Sequence, residues 1–527
     1  MNSLDVATVR GWLGDGGEVA FIDVREEGQH AAGHPLLAVS LPYSRLELDI
    51  ALLVPRRSCR IVLVDDGDGV AEKAARRLGG LGYTAVHTLQ GGVAAWSRAG
   101  YPLFPSTNVP SKAFAELVEI EQHTPHVTPA ELADMQRAGK KLKILDSRTV
   151  EEFNRFHVPG AVSCPGAELV YRFADLVPDP DTLVVVSCAG RTRSIIGAQS
   201  LINAGVPNKV VSLQGGTQAW RLAGLELERN TGAALGGVSR DAAKTAQPLA
   251  AAVAERFGVT RVGHATLTRW RSEAGRTTYL LDVRTPEEYA AGHLPGSLSA
   301  PGGQLVQATD RWIGTRGARL VLIDDPGPRA VMTAHWLKQM GWDVSVLDEP
   351  LAGQALETGD GLPVAAIPRV MTITIPEAAH WLDAGAAAIA IMPSAEYRKA
   401  HPEDAGWAIR PRLDRLPGSV LRATRIAVFA ADEAVGALAA LDLAELTAGP
   451  VALIEDGVAG WRAAGRPFAA SPGDPPDSDR IDYVFWNHDR HDGNQDAMRA
   501  YLQWELDLPA EIAKDGLSGF RLGASAR

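Results

Sequence analysis

Short apolar runs alternate along the chain with longer stretches whose apolar positions recur at helical spacing. Val184-Val185-Val186 is one such run. A Gly/Arg/Thr/Ser turn follows it, and then Ile195, Ile196, Ala198, Leu201 and Ile202 return at the spacing of one helix face. The pattern predicts strand, tight loop, helix. Repeated alternation of this kind predicts parallel sheets covered by helices on both faces.

The pattern also repeats at a spacing of a little over a hundred residues. An acid-x-Arg trio follows an apolar strand at Asp23-Val24-Arg25, Asp146-Ser147-Arg148 and Asp282-Val283-Arg284. Acidic pairs come next, at Glu26-Glu27, Glu151-Glu152 and Glu287-Glu288. His157-Val158-Pro159-Gly160 and His293-Leu294-Pro295-Gly296 form a second mark, with a weaker echo at Gly33-His34-Pro35. Leu-Gln-Gly-Gly-x-x-Ala-Trp closes two units, at Leu89 to Trp96 and Leu213 to Trp220, and Gly457-Val458-Ala459-Gly460-Trp461 is a faint third copy. So long a period indicates separate domains rather than a solenoid. Linkers are expected at residues 102–129, 230–254, 359–368 and 471–476, where Pro, Gly, Ser, Thr or Ala accumulate. Aromatic residues in the tail from Asp477, among them Tyr483, Phe485, Trp486, Trp504 and Phe520, predict that it docks on the body.

A length of 527 residues predicts about three to five domains. The net charge of −11 disfavours nucleic acid and anionic membrane as partners. No basic-then-apolar leader opens the chain, and no apolar run is long enough to span a bilayer. Cys59, Cys164 and Cys188 are too few for a disulfide framework, which points to a reducing, cytoplasmic setting.

Cys188 is the cysteine that a β-branched run delivers into the Gly/Arg/Thr/Ser turn. There it should face loop N–H groups, a helix N-terminus, Arg191 and Arg193. All of these favour thiolate, so its pKa is expected below the free value of about 8.5. Nucleophilic sulfur chemistry on a small anion follows as the expectation.

In their order and repetition these marks resemble the rhodanese homology domain, in four tandem copies over about residues 1–470. The likeness is strong for units two and three, good for unit one and weak for unit four. It implies an α/β fold of four domains, each a parallel sheet flanked by helices on both faces, plus a C-terminal helical tail. The boundaries are 1–105, 124–229, 258–360, 369–470 and 477–527, with 124–229 catalytic. The resemblance also implies a persulfide on Cys188. Cys188 and Arg193 enclose the short Cys-x4-Arg frame of sulfurtransferases, whereas related phosphatases and arsenate reductases carry one residue more. Units one, three and four have Asp65-Asp66, Asp324-Asp325-Pro326-Gly327-Pro328 and Asp432-Glu433 in place of the thiol loop, and are expected to be silent.

The expected reaction moves sulfur from thiosulfate, or a related small anionic donor, to a thiol or cyanide, with a sulfur-acceptor protein as another candidate and no cofactor. Ala189, Gly190, Arg191, Thr192, Arg193 and Ser194 should hold the donor, with Arg191 and Arg193 as its clamp. Asp146 and Arg148 are read as a supporting ion pair, His157 as a packed turn residue and Trp220 as core. Cys164 is read as a buried filler whose rival role is a resolving thiol, and Cys59 as inert. Neither ligand spacing nor a cysteine makes Asn487 to Asp492 a metal site. Gly67/Gly69 and Gly473-Asp474 lack the Lys-Ser/Thr of a phosphate loop. The rival readings are a persulfide carrier that does not turn over, and a phosphatase or arsenate reductase.

Overall fold

The structure, a computed structural model, describes residues 2–325, 327–360, 367–485 and 493–523. Four sheets of five strands succeed one another along the chain. In each, the strands run side by side in the order first, fifth, fourth, second, third by sequence. All pairings within these sheets are parallel. In the second unit the strands are His126–Val127, Val210–Leu213, Leu183–Ser187, Leu142–Asp146 and Ala161–Ser163. The α/β layering expected from the alternation is therefore what the chain adopts.

Alternating side chains explain why both faces must be covered. Val184 and Val186 pack with Leu169, Ile195, Ala198 and Leu201 on one face, and Val185 packs with Leu132, Ala133 and Trp220 on the other. All three valines are fully buried. The central strand Leu183–Ser187 ends beside Asp146, since Asp146 lies opposite both Ser187 and Ser163. Carboxyl ends of parallel strands are where open α/β sheets build their sites.

Two segments read as linkers are largely helical. Val109–Gln122 buries Val109, Ala113, Phe114 and Val118, and Arg240–Phe257 buries Ala242, Ala246, Ala250, Val253 and Phe257. Alanines spaced four apart form a smooth stripe, which lets the second helix pack closely against Glu168–Leu176 of unit two and Pro328–Gln339 of unit three. One continuous core then joins units two and three. Composition alone had marked this stretch as a spacer. Units one and four meet through Arg410, which binds Glu47 and the Tyr43 carbonyl of unit one and Asp442 of its own unit. The tail forms a helix, Gln495–Asp515, that buries Met498, Tyr501, Trp504, Leu508 and Ile512. No helix among the described residues is long and apolar enough to cross a membrane.

Candidate active site

Cys188 follows the last residue of the central strand of unit two, and the helix Thr192–Ala204 begins four residues later. The closing Gly-Gly motif explains the bend. Gly216 has φ +54°, and a Cβ there would lie 2.3 Å from the Cys188 carbonyl oxygen and 2.7 Å from that of Gly190. Only glycine fits. The Thr217 N–H then donates to the Cys188 carbonyl at 2.9 Å and the Gln218 N–H to Ala189 at 3.1 Å. Gly92 sits the same way under Asp65, and Gly457 under Ala430.

The Cys188 thiol is buried, and burial raises its pKa. The positive charge of Arg193 and hydrogen bonds from Ser194 oppose that rise, while Asp146 adds to it. The expected lowering is thus reversed, because desolvation outweighs the cradle. The expected pair of clamping arginines is also revised. Arg191 donates to Glu116 at 2.7 and 2.8 Å and also to Glu119, and its side chain is 5% exposed. Both carboxylates come from the linker helix Val109–Gln122, so Arg191 fastens that helix to the loop. Arg193 keeps its place beside Cys188 but shares its charge with Glu152, at 2.6 and 2.8 Å. Glu152 is preset by a capping box with Thr149.

Gly190 and Thr192 meet the tail, while the Ser194 hydroxyl donates to the Arg191 carbonyl at 2.8 Å. A Cβ at Gly190 would lie 3.2 Å from a Glu505 carboxylate oxygen and 3.4 Å from Tyr501. The Thr192 hydroxyl lies 3.5 Å from Glu505, and the Tyr501 hydroxyl donates to Glu505 at 2.7 Å. Nothing local in sequence announced this contact, since Glu505 stands 313 residues beyond Thr192.

Asp146 and Arg148 form a buried ion pair. The Arg148 side chain donates to both Asp146 oxygens, at 2.9 and 2.8 Å, and to the Phe156 carbonyl at 2.6 Å. Arg25 and Arg284 repeat this toward Gly33 and Gly292. In each case the arginine holds the residue just before a buried histidine. That histidine stacks on a ring four residues earlier, as in Phe153–His157 and Tyr289–His293 with centroids 3.8 Å apart. Tyr397–His401 does the same in unit four. His401-Pro402 thus places a buried histidine before a proline in the fourth sheet's segment as well.

The thiol-free loops show what the cradle holds. The Asp65 carboxylate accepts from the N–H groups of Gly67, Gly69 and Ala71, at 2.9, 3.2 and 3.0 Å. Asp324 accepts from the Arg329 and Ala330 N–H groups and from the Arg329 guanidinium. Arg329 stands five residues after Asp324, as Arg193 does after Cys188, and it binds Glu288 as Arg193 binds Glu152. Each carboxylate therefore fills the cradle and satisfies its donors, rather than merely repelling a visiting anion. In unit four Asp432 caps the helix Glu433–Ala444 instead. Pro328 opens its helix, where a missing N–H costs no intrahelical bond. Pro326 and the run Asn487 to Asp492 lie outside the described residues, as does Trp486. Cys164 is fully buried in the core and burial raises its pKa, while that of Cys59 is pushed up to about 11, again chiefly by burial. All three cysteines are free thiols. Trp220 is core, as expected.

The profile of the family described as "Rhodanese-like domain" matches residues 5–99, 128–223 and 265–352. The chain belongs to the rhodanese-like domain family. The third sheet's neighbour in the chain, unit four, has the strand order of the three matched rhodanese-like stretches. A crystal structure of thiosulfate sulfurtransferase from Pseudomonas aeruginosa is 45% identical, with a TM-score of 0.94 over 99% of this chain and 100% of that one. A Mycobacterium tuberculosis protein named "HTH-type transcriptional regulator Rv0324" is 36% identical over 102 residues, 19% of this chain and 44% of its own length. The match thus spans less than half of that regulator. "Putative thiosulfate sulfurtransferase SseB" of Mycobacterium tuberculosis is 29% identical over 241 residues, 38% of this chain and 78% of its own.

Proposed function

We propose that this rhodanese-like chain is a sulfurtransferase of the thiosulfate type, acting through a persulfide on Cys188 in a reducing cytoplasm. One observation carries the reading. The position that Asp65 and Asp324 fill with a carboxylate is in unit two a thiol, beside Arg193 and Ser194. A cradle that accepts one negative charge in its sister units suits a persulfide anion in this one. The likeness to the Pseudomonas aeruginosa enzyme over nearly the whole chain supports the same chemistry.

In the first step the Cys188 thiolate attacks the outer sulfur of thiosulfate. A sulfur–sulfur bond forms, the donor's sulfur–sulfur bond breaks, and sulfite leaves with the electron pair. A thiolate or cyanide then takes the outer sulfur and the Cys188 thiolate returns. Arg193, Ser194 and the loop from Ala189 to Thr192 stabilise the anionic sulfur. Asp146 and Arg148 hold the frame. Burial disfavours the resting thiolate, and it also shields the persulfide from water and oxidants.

The four units are assigned to 1–105, 124–229, 258–360 and 369–470, with the tail at 477–527. Unit four is a degenerate copy, supported by its strand order and by Tyr397–His401. Units one, three and four are silent and serve as framework. Intact-mass analysis after thiosulfate treatment tests the proposal. One added sulfur on the Cys188 peptide, with repeated sulfite release when cyanide is present, is expected. Loading without turnover would make the chain a carrier, and no loading would end the sulfur-transfer reading.

A further inference from the structure

The two loop arginines are tied to carboxylates, Arg191 to Glu116 and Glu119 and Arg193 to Glu152. A doubly charged donor must find its counter-charge elsewhere. A cleft opens beside Ala189 and is lined by Phe156, Gln218, Arg221, Arg229 and Met498. Neither Arg221 nor Arg229 has a carboxylate partner among the described residues, and both are exposed at the rim.

Their placement is fixed by the fold. Arg221 lies on the helix Gly216–Leu222, whose first residue is wedged under the Cys188 carbonyl. Arg229 follows Glu228, which pairs with His157 through two backbone hydrogen bonds of 2.9 and 3.0 Å. The Glu228 carboxylate turns to His157 at 3.2 Å, and Arg229 lies over the Phe156 ring at 5.7 Å. Gln218 supplies an independent sign of a ligand. It is 7% exposed, and its Oε1 is buried without a hydrogen-bond partner among the described residues. Its Nε2 lies 3.7 Å from where a Gly190 Cβ would be. Turned so that its NH2 takes this place, the carboxamide can donate to a bound anion, which its oxygen could not.

We propose that Arg221 and Arg229 bind the sulfonate end of the donor dianion and set the preference for two negative charges over one, with Gln218 orienting it beside the Cys188 loop. This rests on the sulfur-transfer reading above. The outer sulfur of thiosulfate would point to Cys188, and sulfite would leave past the two guanidinium groups.

The test compares thiosulfate, a dianion, with benzenethiosulfonate, a monoanion that leaves as benzenesulfinate after the same displacement. Arg221→Ala and Arg229→Ala should each raise KM for thiosulfate about five- to tenfold, and the double variant about thirtyfold or more, with kcat within about twofold. KM for benzenethiosulfonate should rise about threefold, and Lys at either position should restore part of the loss. A double variant that melts like the parent and keeps the parent's ratio of the two KM values would overturn the proposal. If the parent protein gains sulfur from neither donor, the sulfur-transfer reading itself falls, a result visible before any arginine is changed.

Discussion

Replacing Arg191 by Met separates a structural arginine from a donor clamp. The side chain is 5% exposed and makes two hydrogen bonds of 2.7 and 2.8 Å to Glu116, which is itself almost fully buried. Removing one member of such a pair strands the other, at a typical cost of about 3–5 kcal/mol. The lower end applies here. Burial pushes the Glu116 carboxyl up to about 7 even beside the guanidinium, with Glu119 and Glu505 adding to the rise, so near neutrality it can take a proton instead of remaining charged. Arg191→Met should therefore lose about 3 kcal/mol in urea unfolding followed by tryptophan fluorescence. KM for thiosulfate should stay within about twofold. Glu116→Leu in the same chain should recover much of the loss, since an apolar pair can replace a buried ionic one. The pH dependence has a definite sign. Between 4.5 and about 7 the folded chain holds more protons at Glu116 than the unfolded chain, so this group's contribution falls as pH rises. Without Arg191 the carboxyl moves higher and the fall extends past 7. A tenfold rise in KM with unchanged unfolding would refute this and return Arg191 to the donor.

Cys188→Ser should abolish persulfide loading by intact mass, while Cys164→Ser, at a fully buried core position, should keep most sulfite release; equal loss from both would indicate a two-cysteine mechanism. Gly216→Ala should cost about 1–2 kcal/mol for its left-handed backbone and about 1–3 more for the overlap with the Cys188 carbonyl, and should lower kcat. A variant with parental stability and rate would show that the loop does not depend on that glycine. For Glu152, burial works toward a higher pKa, but the hydrogen bonds and charge of Arg193, with the charge of Arg148, hold it down at about 2. Its contribution is present above 4.5 and lost as pH falls toward 2, so Glu152→Gln should flatten the acid limb of the unfolding profile there. The same variant leaves Arg193 uncompensated and should speed alkylation of Cys188 at fixed pH.

The sequence by itself determined the repeating units, the strand–loop–helix that carries Cys188, the Asp146–Arg148 brace and the loss of the thiol elsewhere. Each of these is a short-range pattern: alternation sets burial, and loop length sets which amides face inward. The Gly-Gly closure was legible as a motif, though only the fold shows the Cys188 carbonyl that forbids a Cβ. Tertiary structure decided the electrostatics. Glu116 and Glu119 reach Arg191 from a helix that composition had marked as a linker, and Glu505 reaches the loop from the far end of the chain. Charge partnerships depend on which elements pack together, and spacing along the chain does not encode that. A guanidinium beside a cysteine in sequence can therefore be spent elsewhere, while Arg221 and Arg229, distant in sequence, border the same loop.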